Sequence, residues 1–222
     1  MKTTIVLMAF NEEKNIEESI ILTKPFADEQ LVVIAKKSTD KTEEIVKLLG
    51  IPYIIDNGKG KGDGIRCAIN HVKEGIIVFI DTDGSHDPKD IPLMIKPIIA
   101  GEADLVVGSR MRGGSDELHG NFVSVFKNTA TAFIQLIINY RFGVDLTDCE
   151  NGFRAIRSDV AKALGLNAND FDVEQEMEMK ALKKKYRVIE VPSHEYSRSG
   201  GKAKLNVWKI WWKFPLRLIR EL

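Results

Sequence analysis

The sequence predicts an α/β protein in which a mostly parallel central sheet carries helices on both faces. Throughout the first half of the chain, short apolar runs rich in β-branched residues alternate with segments of helical periodicity. This alternation is typical of βαβ units, whose crossover helices cover a parallel sheet. Polar residues follow the predicted strands at Asn11, Ser38 and Asp81. Because such sheets bind ligands at the carboxyl ends of their strands, we expect these three residues to lie at one ligand site.

Each element has its own signal in the sequence. Continuous apolar runs with β-branched residues predict strands, and apolar residues spaced three or four apart predict helices. The strands are predicted at residues 4–9, 31–35, 53–55, 76–80, 104–107 and 187–191. The helices are predicted at 12–22, 39–49, after the glycine-rich loop 60–64, and at 90–99 and 172–185.

Composition narrows the classes of protein that the chain can belong to. Lysine plus arginine equals aspartate plus glutamate at 32 each, so no overall field draws the chain to nucleic acid. Two cysteines without metal-type spacing indicate a reduced, cytoplasmic compartment. The apolar run at the amino terminus meets Glu12 and Glu13 too early for a signal peptide.

The segment from Phe122 to Tyr140 is the strongest candidate for a membrane span, with a single charge at Lys127. Polar residues recur in it every three or four positions, so a helix would carry them as one stripe. The pattern therefore favours an amphipathic helix. The polar positions are Ser124, Asn128, Thr131, Gln135 and Asn139.

The chain crowds carboxylates at the end of its most apolar strand, in the sequence DTDGSHDP at 81–88. Asp81 and Asp83 are hard oxygen ligands on a rigid element, which suits a divalent cation that also contacts a diphosphate. The alternative is an aspartate-rich turn that only caps the following helix.

Eight short motifs make the chain resemble a family 2 glycosyltransferase of the GT-A fold, and most closely the polyprenyl-phosphate or dolichyl-phosphate hexose synthases. The motifs occur in family order over nearly the whole chain. They are FNEEKNI at 10–16, STDKT at 38–42, NGKGKGDGIRCAI at 57–69, DTDGSHDP at 81–88, GSRM at 108–111, DCENGFR at 148–154, FDVEQEMEMKA at 171–181 and VPSHEYSRSGGKAKL at 191–205.

The resemblance implies an inverting transfer of a hexose from a nucleotide diphosphate sugar, either GDP-mannose or a UDP-sugar, to polyprenyl or dolichyl phosphate. It implies Mg²⁺ or Mn²⁺ on Asp81, Asp83 and Ser85, with Asp83 also counted as catalytic. It places the nucleotide sugar beside Phe10, Asn11, Glu12, Lys59, Lys61 and Asp81.

The acceptor that the resemblance implies has to be held by cationic side chains, and no side chain has to remove a proton from it. A lipid phosphate has a second pKa near ~6, so it arrives anionic and has to be positioned. Arginine binds phosphate with better geometry than lysine does. Arg110 and Arg198 are therefore the first candidates for catalytic and acceptor-binding residues. Ser124 and Lys204 complete the predicted acceptor-phosphate site.

One departure from the family pattern concerns the nucleotide base. The chain has Ala35-Lys36-Lys37 where the family usually has Asp-Asp-Gly. One of those acids commonly contacts the base or the ribose in the family. A neutral or differently placed contact must therefore replace it.

We expect two parts, a catalytic domain at 1–204 and a C-terminal amphipathic helix at 205–222. In that helix Lys209, Lys213, Arg217 and Arg220 would form a basic stripe opposite the tryptophans. This pattern favours a helix in the membrane interface over one that packs on the domain or on a partner. The expected location is the cytoplasmic face of a membrane, and the oligomeric state is left open.

Two other functions are compatible with the sequence. A transferase with a soluble acceptor would use a carboxylate such as Asp148 as its base. A binding or scaffold protein on a degenerate transferase fold would no longer bind nucleotide with metal. Structural pairing is the favoured role for Arg154, Glu174 and Glu176.

Overall fold

The structure is a computed structural model that describes residues 1–116, 122–197 and 212–222, with the side chains of 122–128 left out. Its strands are β1 (Thr3–Ala9), β2 (Glu29–Ile34), β3 (Tyr53–Ile55), β4 (Ile76–Asp81), β5 (Leu105–Ser109), β6 (Arg154–Arg157) and β7 (Val188–Pro192). Its helices are α1 (Ile16–Thr23), α2 (Thr42–Leu48), α3 (Lys61–His71), α4 (Ile91–Ile99), α5 (Arg110–Gly113), α6 (Phe122–Phe142), α7 (Ser158–Leu164), α8 (Val173–Lys183) and α9 (Lys213–Glu221).

The strands form one sheet in the order β3-β2-β1-β4-β6-β5-β7. All pairings are parallel except those of β6, which runs antiparallel to β4 and β5. The predicted mostly parallel sheet is thus confirmed. The sequence analysis missed β6 because this strand is only four residues long and begins with Arg154, whose side chain is fully buried.

The sheet has an apolar core on each face because successive side chains of a strand point in opposite directions. In β1, Val6 belongs to the core that includes Ile65 of α3, whereas Ile5 belongs to the core that includes Ile16 of α1. Helices therefore cover both faces, as predicted.

Helices α1 and α2 begin three to four residues later than predicted, and for α1 the reason is a turn that precedes the helix. The carbonyl of Glu12 accepts hydrogen bonds from the amides of Asn15 and Ile16, so the residues from Glu12 form a turn before α1. This turn keeps residues 10–12 at the carboxyl end of β1, where the chain can contact a ligand.

A smaller apolar cluster joins α6, α8 and α9. It includes Ile134 and Ile138 of α6, Met179 of α8 and Leu218 of α9. Within the described ranges, no helix combines the length and the apolar character that a membrane crossing requires.

Candidate active site

The candidate site is a cavity of about 250 Å³ at the carboxyl ends of β1, β2, β3 and β4. Strands β2 and β3 lie on one side of β1 in the sheet, and β4, the next strand in the sequence, lies on the other side. Such a reversal opens a crevice between strands, the usual ligand site of this kind of sheet. The lining includes Phe10, Glu12, Lys61, Asp81 and Asp83 of the predicted residues, as well as Ala35, Lys37, Asp56 and Phe171.

Asp81 and Asp83 lie side by side at the end of β4, as the sequence predicted. Asp83 Oδ1 accepts hydrogen bonds from the Ser85 amide at 3.1 Å and from its hydroxyl at 2.7 Å. Between the two acids, the Thr82 hydroxyl donates to the Met8 carbonyl at 3.0 Å, which ties this turn to β1. Ser85 therefore orients the Asp83 carboxylate.

A lysine bridges the first of these acids to a second, buried carboxylate. Lys61 Nζ lies 2.9 Å from Asp81 Oδ2 and 3.0 Å from Glu174 Oε1. Burial lowers the pKa of Lys61, but the two carboxylates outweigh burial, so its pKa lies above the ordinary value. A side chain at Gly152 would collide with this group, because its Cβ would come 2.7 Å from Lys61 Nζ. A larger residue at this position would displace the Lys61 ammonium group from its place beside Asp81.

These residues fit a divalent cation that is shared with a substrate. Asp81 and Asp83 offer carboxylate oxygens to the cavity, and Asp81 already contacts the ammonium group of Lys61. In the ranges that the structure describes, no cluster of three or more histidine, cysteine, aspartate or glutamate residues could hold a metal. Two carboxylates suit a cation such as Mg²⁺, which takes its other ligands from water and from substrate phosphates.

The other predicted nucleotide residues divide into two groups. Phe10 and Glu12 line the cavity, and the Glu12 amide donates to the Thr42 hydroxyl at 2.8 Å. Asn11 has a φ of 53° and accepts a hydrogen bond from the Thr39 amide, so it shapes the loop beside the cavity. Lys59 is exposed and is not among the lining residues, so its contact with a nucleotide stays a prediction.

Arg110 is held by carboxylates. Its guanidinium donates to both oxygens of Asp148, at 2.7 and 2.8 Å, and lies 3.4 Å from Glu195. Burial raises the pKa of Asp148, yet Arg110 more than offsets this, so the pKa of Asp148 lies below its usual range. A carboxylate held in this way is a weak base. The structure therefore gives no support to Asp148 as a proton acceptor.

His86, to which the sequence analysis assigned no role, lies between the two groups of charges. It is 7% exposed, forms a bridge with Glu195 in the backbone pairing and packs its ring 5.2 Å from that of Phe153. Burial lowers its pKa, and the nearby carboxylates of Asp81 and Glu195 oppose this only in part. A neutral imidazole is therefore expected here at neutral pH.

Several predicted acceptor residues cannot be placed. Arg198 and Lys204 lie outside the described residues, and for Ser124 only its position in α6 is described. Their roles stay predictions.

The structural role that the sequence analysis favoured for three charged residues agrees with the contacts of Arg154. This side chain is 1% exposed and donates to the carbonyls of Asn151, Glu174 and Cys149. The structural role also suits Glu176, which accepts from the amides of Asn167 and Ala168.

Helix α6 forms over the predicted span, and the three polar positions whose side chains the structure describes face the domain. Thr131 donates to Glu150, Gln135 to Glu178, and Asn139 to the Leu146 carbonyl. The side chains on its opposite side are apolar and exposed. They are Phe133, Leu136 and Tyr140, at 63%, 62% and 91% exposure.

Helix α9 also differs from the predicted orientation. Lys213 pairs with Asp170 at 2.8 Å, and Arg217, 4% exposed, pairs with Asp172 and Glu176. These acids draw two members of the expected basic stripe onto the domain. The solvent-facing side of α9 instead carries Trp212, Leu216 and Ile219, at 49%, 41% and 70% exposure.

The two helices are neighbours, since Arg141 of α6 donates to the Leu222 carbonyl and both helices contribute to one apolar cluster. We call the side chains at 133, 136, 140, 212, 216 and 219 the exposed apolar face. The other predicted members of the C-terminal helix, Trp208, Lys209 and Trp211, lie outside the described residues.

The sheet order, the cavity and the paired aspartates are those of a protein with the GT-A fold. Residues 4–165 match the model of glycosyl transferase family 2. The chain belongs to that family, and it is a hexosyltransferase by this membership.

Relatives and a solved structure agree with this assignment. An uncharacterised protein of Methanocaldococcus jannaschii is 33% identical over 97% of this chain and 91% of its own length. The UDP-N-acetylglucosamine–dolichyl-phosphate N-acetylglucosaminyltransferase of Methanococcus voltae is 26% identical over 94% of this chain and 93% of its own. Glucosyl-3-phosphoglycerate synthase of Mycobacterium tuberculosis, solved with Mn²⁺ and UDP, has a TM-score of 0.77 at 20% identity, covering 99% of this chain and 79% of that one.

Proposed function

We propose that this chain transfers a hexose from a nucleoside diphosphate sugar to a polyprenyl phosphate, such as dolichyl phosphate, at a membrane surface. The observation that carries the choice of acceptor is the exposed apolar face. In an ordinary water-facing helix the polar side is exposed, whereas α6 buries Thr131 and Gln135 and exposes Phe133, Leu136 and Tyr140. Large exposed apolar patches indicate a membrane or a partner.

The polar residues that neighbour this face favour a lipid surface. Arg220, next to Ile219, is exposed at the end of α9, and Trp212 lies at its beginning. Tryptophan, aliphatic side chains and arginine together are typical of helices that lie in the membrane interface. The name of the Methanococcus voltae relative, which includes dolichyl phosphate, supports the same acceptor.

The donor would bind in the cavity. Asp81 and Asp83 would hold Mg²⁺ or Mn²⁺, which when bound supplies charge neutralisation for the departing diphosphate. Lys61 adds a positive charge beside Asp81, and Glu174 keeps the ammonium group in place. The structural neighbour that was solved with Mn²⁺ and UDP supports this use of the fold.

The reaction would be a single displacement with inversion. An oxygen of the acceptor phosphate forms a bond to the anomeric carbon, the bond from that carbon to the diphosphate breaks, and the nucleoside diphosphate leaves with the electron pair. The acceptor phosphate is already anionic, so no side chain has to remove a proton. This is consistent with Asp148, which Arg110 holds as a salt-bridged carboxylate. Arg110, Arg198, Ser124 and Lys204 are the residues proposed to position the phosphate.

A donor screen tests the proposal. The protein is incubated with labelled UDP-N-acetylglucosamine, UDP-glucose or GDP-mannose, with Mn²⁺ or Mg²⁺ and with dolichyl phosphate in liposomes. We expect label in the lipid phase with one donor, and none after chelation of the metal or in the Asp83→Ala variant. Asp145→Asn, which changes a side chain that is 97% exposed, is the matched control.

The result that would overturn the proposal is the absence of lipid-phase label with every donor. Label that appears instead on phosphoglycerate, when this compound replaces dolichyl phosphate in a parallel incubation, would assign a soluble phosphorylated acceptor.

A further inference from the structure

Asp56 is a carboxylate on the cavity wall that the proposed transfer does not use. We infer that it reads the nucleobase of the donor and selects uracil. The inference rests on the proposed function, since it presumes that a nucleoside diphosphate sugar occupies this cavity.

The backbone holds Asp56 rigidly. It directly follows β3, and its amide donates to the Ile34 carbonyl of β2 at 3.0 Å. Its Oδ1 accepts two hydrogen bonds of 2.8 Å each, from the amides of Lys36 and Gly58. The residue is only 6% exposed. One oxygen is therefore fully used, and the orientation of the carboxylate is fixed before any ligand binds.

The other oxygen is left for a ligand. In the part of the chain that the structure describes, Oδ2 of Asp56 accepts no hydrogen bond. It lies 3.6 Å from the point where a Gly64 Cβ would be, and Met8 and Val33, which both line the cavity, lie 3.0 and 3.2 Å from the same point. This oxygen is not among the fully buried polar atoms, so a hydrogen-bond donor of a ligand can reach it.

The position of Asp56 in the sheet matches a base and not a phosphate. Asp56 follows β3 and Asp81 ends β4, and these strands are three places apart in the order β3-β2-β1-β4. At about 4.8 Å per strand the two acids are separated by roughly 14 Å. An extended nucleoside diphosphate covers such a distance between its phosphates and the outer edge of its base.

This carboxylate also supplies the contact that the departure at 35–37 requires. The family usually has acids in the segment after β2, whereas here Ala35 and Lys37 of that segment line the cavity and the acid on the cavity wall, Asp56, follows the neighbouring strand. Lys36 contributes its backbone amide to hold Asp56. In this assignment Asp56 takes the place of the acid that the family usually has after β2.

The hydrogen-bonding capacity of the remaining oxygen favours uracil. A carboxylate oxygen can only accept a hydrogen bond. On its Watson–Crick edge uracil presents one donor, the N3–H group. Cytosine presents a lone pair at N3, which the oxygen repels. Guanine presents two adjacent donors, N1–H and the exocyclic amine, which a carboxylate pairs fully only with both oxygens. Because Oδ1 already accepts from Lys36 and Gly58, Asp56 suits uracil.

The test compares UDP, CDP and GDP by calorimetry with Mn²⁺ present. Asp56→Asn keeps a carbonyl oxygen for the two backbone amides and turns the second oxygen into a donor. We expect the wild type to bind UDP roughly tenfold more tightly than CDP, as the loss of one hydrogen bond to a charged group would cause. In the variant, UDP binding weakens by a similar factor while CDP binding holds or improves.

Asp63→Asn is the matched control, an isosteric change at a buried acid near the start of α3 that accepts from Asn57 and does not line the cavity. It should leave the ratio of UDP to CDP affinity unchanged.

Two results overturn the assignment while the proposed function stands. One is an equal loss of UDP and CDP binding in Asp56→Asn, which would make Asp56 a ribose ligand or a purely structural residue. The other is tighter binding of GDP than UDP by the wild type, a measurement that needs no variant. If the wild type binds none of the three nucleotides, the proposed function itself fails.

Discussion

Glu178 of α8 provides a quantitative test of the packing between α6 and α8. The side chain is fully buried, Gln135 of α6 donates to its Oε1 at 3.1 Å, and its Oε2 has no hydrogen-bond partner within the described residues. Burial raises its pKa from the usual 4.5 to about 7, although Arg154 and Gln135 act in the opposite direction. Wild-type protein therefore loses stability as this carboxyl ionises.

The sign and the size of the effect on the free energy of unfolding follow from the linkage between proton binding and folding. Well below pH 4.5 the carboxyl is protonated in both the folded and the unfolded state, so it does not change the free energy of unfolding. As the pH rises from 4.5 through about 7, the unfolded chain releases the proton more readily, so the folded state loses stability. At about 1.4 kcal/mol per pKa unit, the total loss is about 3 kcal/mol. Glu178→Gln keeps an acceptor for Gln135 and removes the ionisation.

Urea unfolding of both proteins between pH 5 and pH 8 measures this effect. We expect similar stability near pH 5 and a variant that is more stable by up to about 3 kcal/mol at pH 8. Glu102→Gln, at an exposed position, should show no such difference. If the difference in free energy of unfolding between wild type and Glu178→Gln does not change with pH, the reasoning is refuted. In that case the Glu178 carboxyl would not be ionising in a buried site.

Three further predictions concern the cavity and the exposed apolar face. Asp83→Ala should abolish the increase in UDP or GDP affinity that Mn²⁺ causes, measured by calorimetry; an unchanged increase in the variant would show that Asp83 does not hold the metal. Lys61→Met should destabilise the fold by about 3 kcal/mol because it leaves Glu174 buried without its cation. The double variant with Glu174→Gln should recover part of that loss in urea unfolding, and strictly additive losses would contradict the pairing. Leu136→Glu and Ile219→Glu should each reduce sedimentation with anionic liposomes while UDP binding persists, and unchanged sedimentation would argue for a protein partner on this face.

Much of the fold could be predicted because its signals are local. The apolar runs before Ala9, Ile34 and Asp81 each end at the same edge of the sheet, so the pairing of Asp81 with Asp83 and their place beside Phe10 followed from the order of strands. Strand β6 was not predicted because it begins with an arginine, a residue that is rarely buried. Arg154 can be buried since its guanidinium donates to three backbone carbonyls, and these come together only in the folded chain.

The sequence by itself determined the α/β class, the family and the acidic pair, because strand periodicity and short motifs depend on neighbouring residues. Tertiary structure alone decided which charges meet. It placed Lys61 between Asp81 and Glu174, fixed Arg110 on Asp148, and held one oxygen of Asp56 on the backbone amides of Lys36 and Gly58 at the cavity wall. It also turned Thr131, Gln135 and Asn139 of α6 toward the domain, where they donate to Glu150, Glu178 and the Leu146 carbonyl. Burial, desolvation and long-range pairing set these outcomes, and they depend on the packed chain as a whole.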